Sequence, residues 1–258
     1  MATNLEDAGA DMIELNFVCP NIELTAKQLG IDMAKTELHG ASVGQDPTVA
    51  GRVTKTVKES VHLPVVCKLT PEAADTTAVA KACEEAGADA IAIGGSYLAL
   101  PGIDVYNNGK PLYPMLDKTS FGALEGPCVR HAAYRAVAQL YKELKIPIIG
   151  GGGITNWRDT VEMMMWGATT VSICTSIMWY GFEVVDHILK GLDKFMDETG
   201  YESPKDFIGC AVEHITTPDK LVIHPAVAAV IEERCNGCGI CLKPGHCEAI
   251  EMKNKRLS

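Results

Sequence analysis

Pro147-Ile148-Ile149-Gly150-Gly151-Gly152-Gly153-Ile154-Thr155 is the stretch whose reading decides the fold. Three apolar residues read as a short buried strand, and the glycine run as its abrupt end. A helix is expected from about Asn156, then Gly167-Ala168-Thr169 and a further strand, Thr170-Val171-Ser172-Ile173. Strand, glycine turn, helix and strand in that order make a parallel βαβ unit. Outward from it the same grammar repeats. Met12-Ile13-Glu14-Leu15-Asn16-Phe17, Val65-Val66-Cys67-Lys68-Leu69 and Ala90-Ile91-Ala92-Ile93 read as strands. Helical patterns fall over Glu72 to Glu85, entered through Thr70-Pro71, and over Pro127 to Leu144. Gly9-Ala10-Asp11-Met12-Ile13 recurs as Gly87-Ala88-Asp89-Ala90-Ile91 and loosely as Gly167-Ala168-Thr169-Thr170-Val171. Each glycine is expected to end a helix just ahead of a strand. Turns of any parallel α/β fold converge on this chemistry, and duplication would also produce it.

The length, 258 residues, suits a (β/α)8 barrel, typically ~250 residues. Only five strands are legible, however, and the periodicity fades after about residue 200. The expected fold is therefore an α/β sheet of about five βα units, either open or the C-terminal part of a barrel. The expected boundaries are a barrel portion over 1–200, an extension over 201–229 and a cysteine-bearing segment over 230–258.

Composition narrows the function. The chain is 47% hydrophobic and 22% charged, an ordinary globular balance. Its net charge of −10 argues against a nucleic-acid binder. No apolar run approaches the ~18–20 residues of a membrane helix. The N-terminus has neither basic start nor apolar core, so no secretory leader and a cytoplasmic location are expected. Ten cysteines, four of them clustered, then suit a reducing compartment and a metal site better than disulfides.

Four motifs can carry chemistry. Asn16-Phe17-Val18-Cys19-Pro20-Asn21 ends the first strand, at the sheet edge where α/β folds place their sites. Its carboxamides can grip an amide or imide ring, and its thiol can move a proton; a buried structural cysteine is the plainer alternative. Lys68 sits in an otherwise apolar strand and needs a bound anion or a carboxylate. The run Gly150 to Gly153, followed by Cys174-Thr175-Ser176 after the next strand, offers backbone N–H groups and hydroxyls to a phosphate; a plain flexible turn is the rival reading. Cys235, Cys238 and Cys241 are spaced C-x2-C-x2-C, which favours an iron–sulfur cluster over zinc. Cys247 follows after five residues.

Taken together, Glu14-Leu15-Asn16 through Asn21, Gly44-Gln45-Asp46-Pro47, Lys68-Leu69-Thr70-Pro71, Gly152-Gly153-Ile154, Thr155-Asn156-Trp157-Arg158-Asp159 and Met178-Trp179-Tyr180-Gly181-Phe182 carry a resemblance. The chain resembles the flavin and iron–sulfur subunits of bacterial NAD-dependent dihydropyrimidine dehydrogenases, within the wider dihydroorotate dehydrogenase family. The resemblance implies a flavin-binding barrel followed by a ferredoxin-like tail, without the first three barrel strands or a second cysteine run. It implies FMN at the C-terminal strand edge, with Lys68 by the flavin ring and Gly126, Gly152, Gly153, Cys174 and Thr175 at the phosphate. Cys19 is then the acid/base at C5 of a pyrimidine. Asn16, Asn21 and Ser96 contact the substrate. Cys235, Cys238, Cys241 and Cys247 ligate a 4Fe-4S cluster. The implied partner is an FAD-bearing subunit that draws electrons from NAD(P)H in a hetero-oligomer.

Several positions depart from the family pattern. Val18 replaces a serine, Gly95-Ser96 replaces Asn-Thr, Glu125 replaces the serine of a phosphate turn, and the loop from Asn21 to Gly44 is long. The same chemistry on dihydroorotate or another conjugated ring, an electron-transfer module and an inactive fragment are the rival functional readings.

Overall fold

A computed structural model of the chain describes residues 1–19, 40–224, 229–242, 252–253 and 256–257. The chain divides into two compact units, Met1–Ile215 and Thr216–Ser258.

The first unit is built on five parallel strands: β1 (Ile13–Phe17), β2 (Val65–Leu69), β3 (Ala90–Gly94), β4 (Ile148–Gly151) and β5 (Thr170–Ser172). They pair in chain order, β1-β2-β3-β4-β5. A doubly wound sheet reverses its order at a switch point, whereas a (β/α) barrel never does. The consecutive order therefore favours a stretch of barrel wall over an open doubly wound sheet. Its helices are α1 (Ala2–Asp7), α2 (Pro47–Lys58), α3 (Thr76–Glu85), α4 (Arg130–Tyr141), α5 (Trp157–Met165), α6 (Thr175–Tyr180) and α7 (Glu183–Thr199).

Strand alternation decides which face is covered. Phe17, Cys67, Leu69, Ile91, Ile93 and Ile148 join Ala50, Val79, Val137, Met163 and Val184 of the helices in one core. Burying each large side chain there contributes about 1.5–3 kcal/mol. Glu14, Asn16 and Lys68 lie on the other face and are exposed. Cys67 and Cys83 belong to the core; their mutual hydrogen bond and burial push the Cys67 thiol far above its ordinary range. The Cys67 thiol stays protonated and packs rather than reacts, while the same hydrogen bond draws the Cys83 thiol below its ordinary range.

Local chemistry explains the element ends. Gly9, Gly87 and Gly167, all at positive φ, follow α1, α3 and α5 just ahead of a strand, as the repeat predicts. Asp89 of that repeat accepts from Val65 N at 2.7 Å and from Lys58 Nζ at 2.7 Å, tying β3 to β2 and α2. The expected entry to α3 is corrected: the helix begins at Thr76, not Glu72. Asp75 caps it by accepting from Ala78 N at 2.9 Å, while Thr70 Oγ1 takes Glu72 N at 3.2 Å in a separate turn. A carboxylate within reach of the free N–H groups won over Thr-Pro. Pro127–Val129 likewise forms a 3-10 turn ahead of α4 rather than its first turn.

Gly44-Gln45-Asp46-Pro47 is accounted for by packing. A Cβ on Gly44 would collide with the Phe17 carbonyl oxygen. Asp46 caps α2, accepting from Thr48 N at 2.8 Å and Val49 N at 3.1 Å, with Pro47 in the first turn. Asp46→Ala is expected to cost about 1 kcal/mol of stability, read from urea melts. A loss below a few tenths of that would show that packing alone starts the helix.

Beyond α7 the first unit continues through 3-10 turns, with Phe207 fully buried against Val161 and Met164 of α5. The second unit carries, among its described residues, 3-10 turns at Pro218–Lys220, Glu232–Arg234 and Ile240–Leu242. It also has a two-residue antiparallel pair, Met252–Lys253 with Arg256–Leu257. No helix among the described residues is long and apolar enough to cross a membrane.

Candidate active site

The C-terminal ends of the strands surround a cavity of about 470 Å³. Asn16, Cys19, Lys68, Ser96, Gly126, Gly152, Gly153, Cys174 and Thr175 all line it. Glu14 and Thr175, 161 positions apart in the chain, thus share one wall system. Asn21 and Cys247 lie outside the described residues.

β1 delivers the thiol. Asn16, the penultimate residue of the strand, accepts with Oδ1 from the N–H groups of Val18 and Cys19, both at 3.1 Å. This Asx turn bends the chain so that Cys19 is presented half-buried at the cavity. Because Oδ1 is taken by the turn, Asn16 keeps Nδ2 as its hydrogen-bond group for a ligand.

Lys68 has a partner that the sequence reading did not single out. Glu14 stands two residues before Asn16, on the same face of β1, and its Oε1 lies 3.5 Å from Lys68 Nζ. The period-2 spacing of Glu14 and Asn16 is the signal that could have found it. Both side chains are about half-exposed, so the pair is of small energetic weight. Its consequence is chemical: the ammonium in this cavity is already shared with a carboxylate.

The glycine turn after β4 packs backbone on backbone. A Cβ on Gly153 would come 2.6 Å from the Gly126 carbonyl oxygen, and one on Gly95, at φ +80°, would come 2.9 Å from Gly152 Cα. The latter approach leaves no room for a side chain at Gly95. No hydrogen-bond partner among the described residues takes the N–H of Gly152 or Gly153. Both residues line the cavity, a surface on which a phosphate can bind. Asp159 holds the turn from behind. It is buried and accepts from Thr155 N at 2.9 Å, Thr155 Oγ1 at 2.8 Å and Asn156 Nδ2 at 3.0 Å, with Arg130 at 3.1 Å. Asp159 therefore shapes the loop from outside the cavity, which Thr155 itself lines.

Glu125 also lines the cavity and is bonded there: Ser96 Oγ donates to its Oε1 at 2.8 Å. Size, edge placement, unpaired N–H groups and one ammonium fit a phosphate-bearing flavin, with the Glu14 and Glu125 carboxylates opposing an anion.

The cysteine run does not reach the same standard. Cys235, Cys238 and Cys241 are free thiols. Gly237 and Gly239 between them adopt positive φ, the tight winding that a cluster loop uses. Yet among the described residues no three His, Cys, Asp or Glu side chains converge as a metal ion requires. The expected iron–sulfur site and ferredoxin-like tail are thus not displayed.

Residues 1–196 match the family model described as Dihydroorotate dehydrogenase. The chain belongs to that family. It is 32% identical to the NAD-dependent dihydropyrimidine dehydrogenase subunit PreA of Escherichia coli over 267 residues, covering 99% of this chain and 61% of the relative. It is 39% identical over 211 residues to the catalytic subunit of dihydroorotate dehydrogenase B (NAD(+)) of Pyrococcus furiosus, covering 82% and 63%. The chain thus spans about three fifths of these relatives' length. Among solved structures, a dihydroorotate dehydrogenase from Eimeria tenella in complex with ferulenol superposes with a TM-score of 0.61 at 17% identity, over 83% of this chain and 57% of the other. That likeness supports the barrel-type α/β fold.

Proposed function

We propose that this chain forms the larger part of an FMN-dependent oxidoreductase acting on the C5–C6 bond of uracil- or thymine-type pyrimidines. In this reading it works in the cytoplasm in a hetero-oligomer, with electrons from NAD(P)H through an FAD-bearing partner subunit. The observation that carries the reading is the single cavity bringing Cys19, Asn16, Lys68 and Ser96 together with the open N–H groups of Gly152 and Gly153. An electron-transfer module has no need of a thiol and a carboxamide presented to the same cavity.

FMN, when bound, supplies the hydride exchange at C6. Gly126, Gly152, Gly153, Cys174 and Thr175 hold its phosphate, and Lys68 places positive charge by its ring. Asn16 offers Nδ2 to a ring carbonyl. Cys19 gives or takes the proton at C5. A carboxylate-bearing ring such as dihydroorotate is less well served, because the described lining carries Glu14 and Glu125 against Lys68 alone. In the same proposal Cys235, Cys238, Cys241 and Cys247 ligate one iron–sulfur cluster.

The test is direct. The purified chain is expected to bind FMN, and Lys68→Ala is expected to lower its midpoint potential, because removing a cation disfavours an anionic reduced ring. An unchanged potential removes Lys68 from this role, and a chain that takes up no FMN removes the flavin reading. Iron and acid-labile sulfide counts after anaerobic reconstitution test the cluster, with zinc and no iron as the outcome against it.

A further inference from the structure

Behind the glycine turn stands a carboxylate that would repel an anion in front of it. Asp159 is buried, and its Oδ2 accepts from Thr155 Oγ1 at 2.8 Å. Thr155 itself lines the cavity, so one residue separates this charge from the surface on which a phosphate can bind. The carboxylate is nevertheless what shapes the turn, since it also takes Thr155 N and Asn156 Nδ2. A cation meets it there. Arg130 Nη1 lies 3.1 Å from Asp159 Oδ2 and donates to the Gly153 carbonyl oxygen at 3.5 Å.

Stability does not explain the placing of Arg130. It is the first residue of α4, where the helix dipole disfavours a cation. Its side chain is largely buried, and Nε has no hydrogen-bond partner among the described residues, an arrangement that is itself unfavourable. Apolar residues of similar volume often replace a buried ion pair without loss. One turn further along α4, Tyr134 already fastens this helix to α5 by donating to Glu162 Oε2 at 2.9 Å.

We propose that Arg130 governs anion binding at this turn by cancelling the charge of Asp159, so that the carboxylate shapes the turn without repelling a phosphate in front of it. Away from bulk water the effective dielectric is low, and an uncancelled charge acts strongly over a few ångströms. Arg130 does not line the cavity. It is a positioning residue that acts through Asp159 and Gly153, and it makes the site prefer a phosphorylated flavin to an unphosphorylated one. The inference rests on the flavin reading and deepens it.

The test compares FMN with riboflavin, which lacks the phosphate, by quenching of flavin fluorescence on the full chain. The unaltered chain is expected to bind FMN more tightly, and the ratio of the two dissociation constants reads the phosphate alone. Arg130→Gln, which leaves Asp159 uncancelled, is expected to lower that preference on the order of tenfold. Arg130→Lys, which keeps the charge, should retain most of it. Arg130→Gln combined with Asp159→Asn should restore the preference, an outcome that lost packing does not produce. Asp159→Asn alone leaves the cation unopposed and should not lower it. Thermal melts report folding, and the ratio of two ligands on one sample is insensitive to a partly unfolded fraction. A preference unmoved by Arg130→Gln, not restored in the double variant, or lowered by Asp159→Asn alone overturns the role of Arg130 and leaves the flavin reading standing. Equal affinity of the unaltered chain for both flavins removes the phosphate from the turn, and the proposal with it. A chain that binds neither overturns the flavin reading as well.

Discussion

Cys19→Ala is expected to lower turnover of the pyrimidine by roughly 10²–10⁴-fold, the usual worth of a positioned proton donor. Reduction of the bound flavin by dithionite should stay at its unaltered rate, because that half-reaction takes no proton from the C5 position. The separation is possible because of how the thiol is held. The turn that presents Cys19 is closed by Asn16 Oδ1 on two backbone N–H groups, not by the thiol itself. Alanine therefore keeps the turn and removes the proton. Rapid mixing of dithionite-reduced protein with substrate isolates the second half-reaction. Equal loss in both halves would make Cys19 a structural residue. Cys19→Ser supplies a further reading: a hydroxyl keeps the size but ionises far less readily, so it should restore only a small part of the rate.

Gly94→Ala is expected to destabilise the first unit by about 2–5 kcal/mol, measured in denaturant melts. Two costs add here. Gly94 sits at φ +124°, where an L side chain is strained by about 1–2 kcal/mol. A Cβ there would also collide with the carbonyl oxygen of Gly151 on the neighbouring strand, a backbone atom that cannot swing aside. Forced overpacking of this kind typically costs 1–3 kcal/mol. Because β3 and β4 both end at the cavity, the same change should loosen it and weaken flavin binding. Gly122→Ala is the control. It lies in a short strand, Gly122–Leu124, paired antiparallel with Tyr97–Ala99, with nothing within 4 Å of an added Cβ, and stability should move by less than about 0.5 kcal/mol. Equal effects at both sites would mean that the close approach of β3 and β4 is not needed.

The parallel strands were legible from single runs such as Val65–Leu69 because each is short, apolar and bracketed by glycine, proline or asparagine. The helix start at Thr76 was not. Thr70-Pro71 and Asp75 are both acceptable entries by local chemistry, and the Asp75 carboxylate, accepting from Ala78 N, won over Thr70-Pro71. The candidate site divides in the same way. Cys19, Lys68 and the glycine turn announced themselves as polar or flexible residues at strand ends, a position whose meaning follows from the order of elements alone. Their partners did not. Glu14 reaches Lys68 only because β1 and β2 lie side by side, with Asn16 opposite Lys68. Ser96 reaches Glu125 only because the chain returns to the end of β3 after 29 residues. Hydrophobic period and turn chemistry act over a few residues and can be read along a line. Charge neutralisation, the commitment of a hydroxyl hydrogen and the clearance around a glycine depend on atoms distant in sequence, so by itself the sequence determined the class of fold and the edge where chemistry belongs. The polarity of the cavity wall was decided by tertiary structure, because hydrogen bonds and close contacts form between neighbours in space.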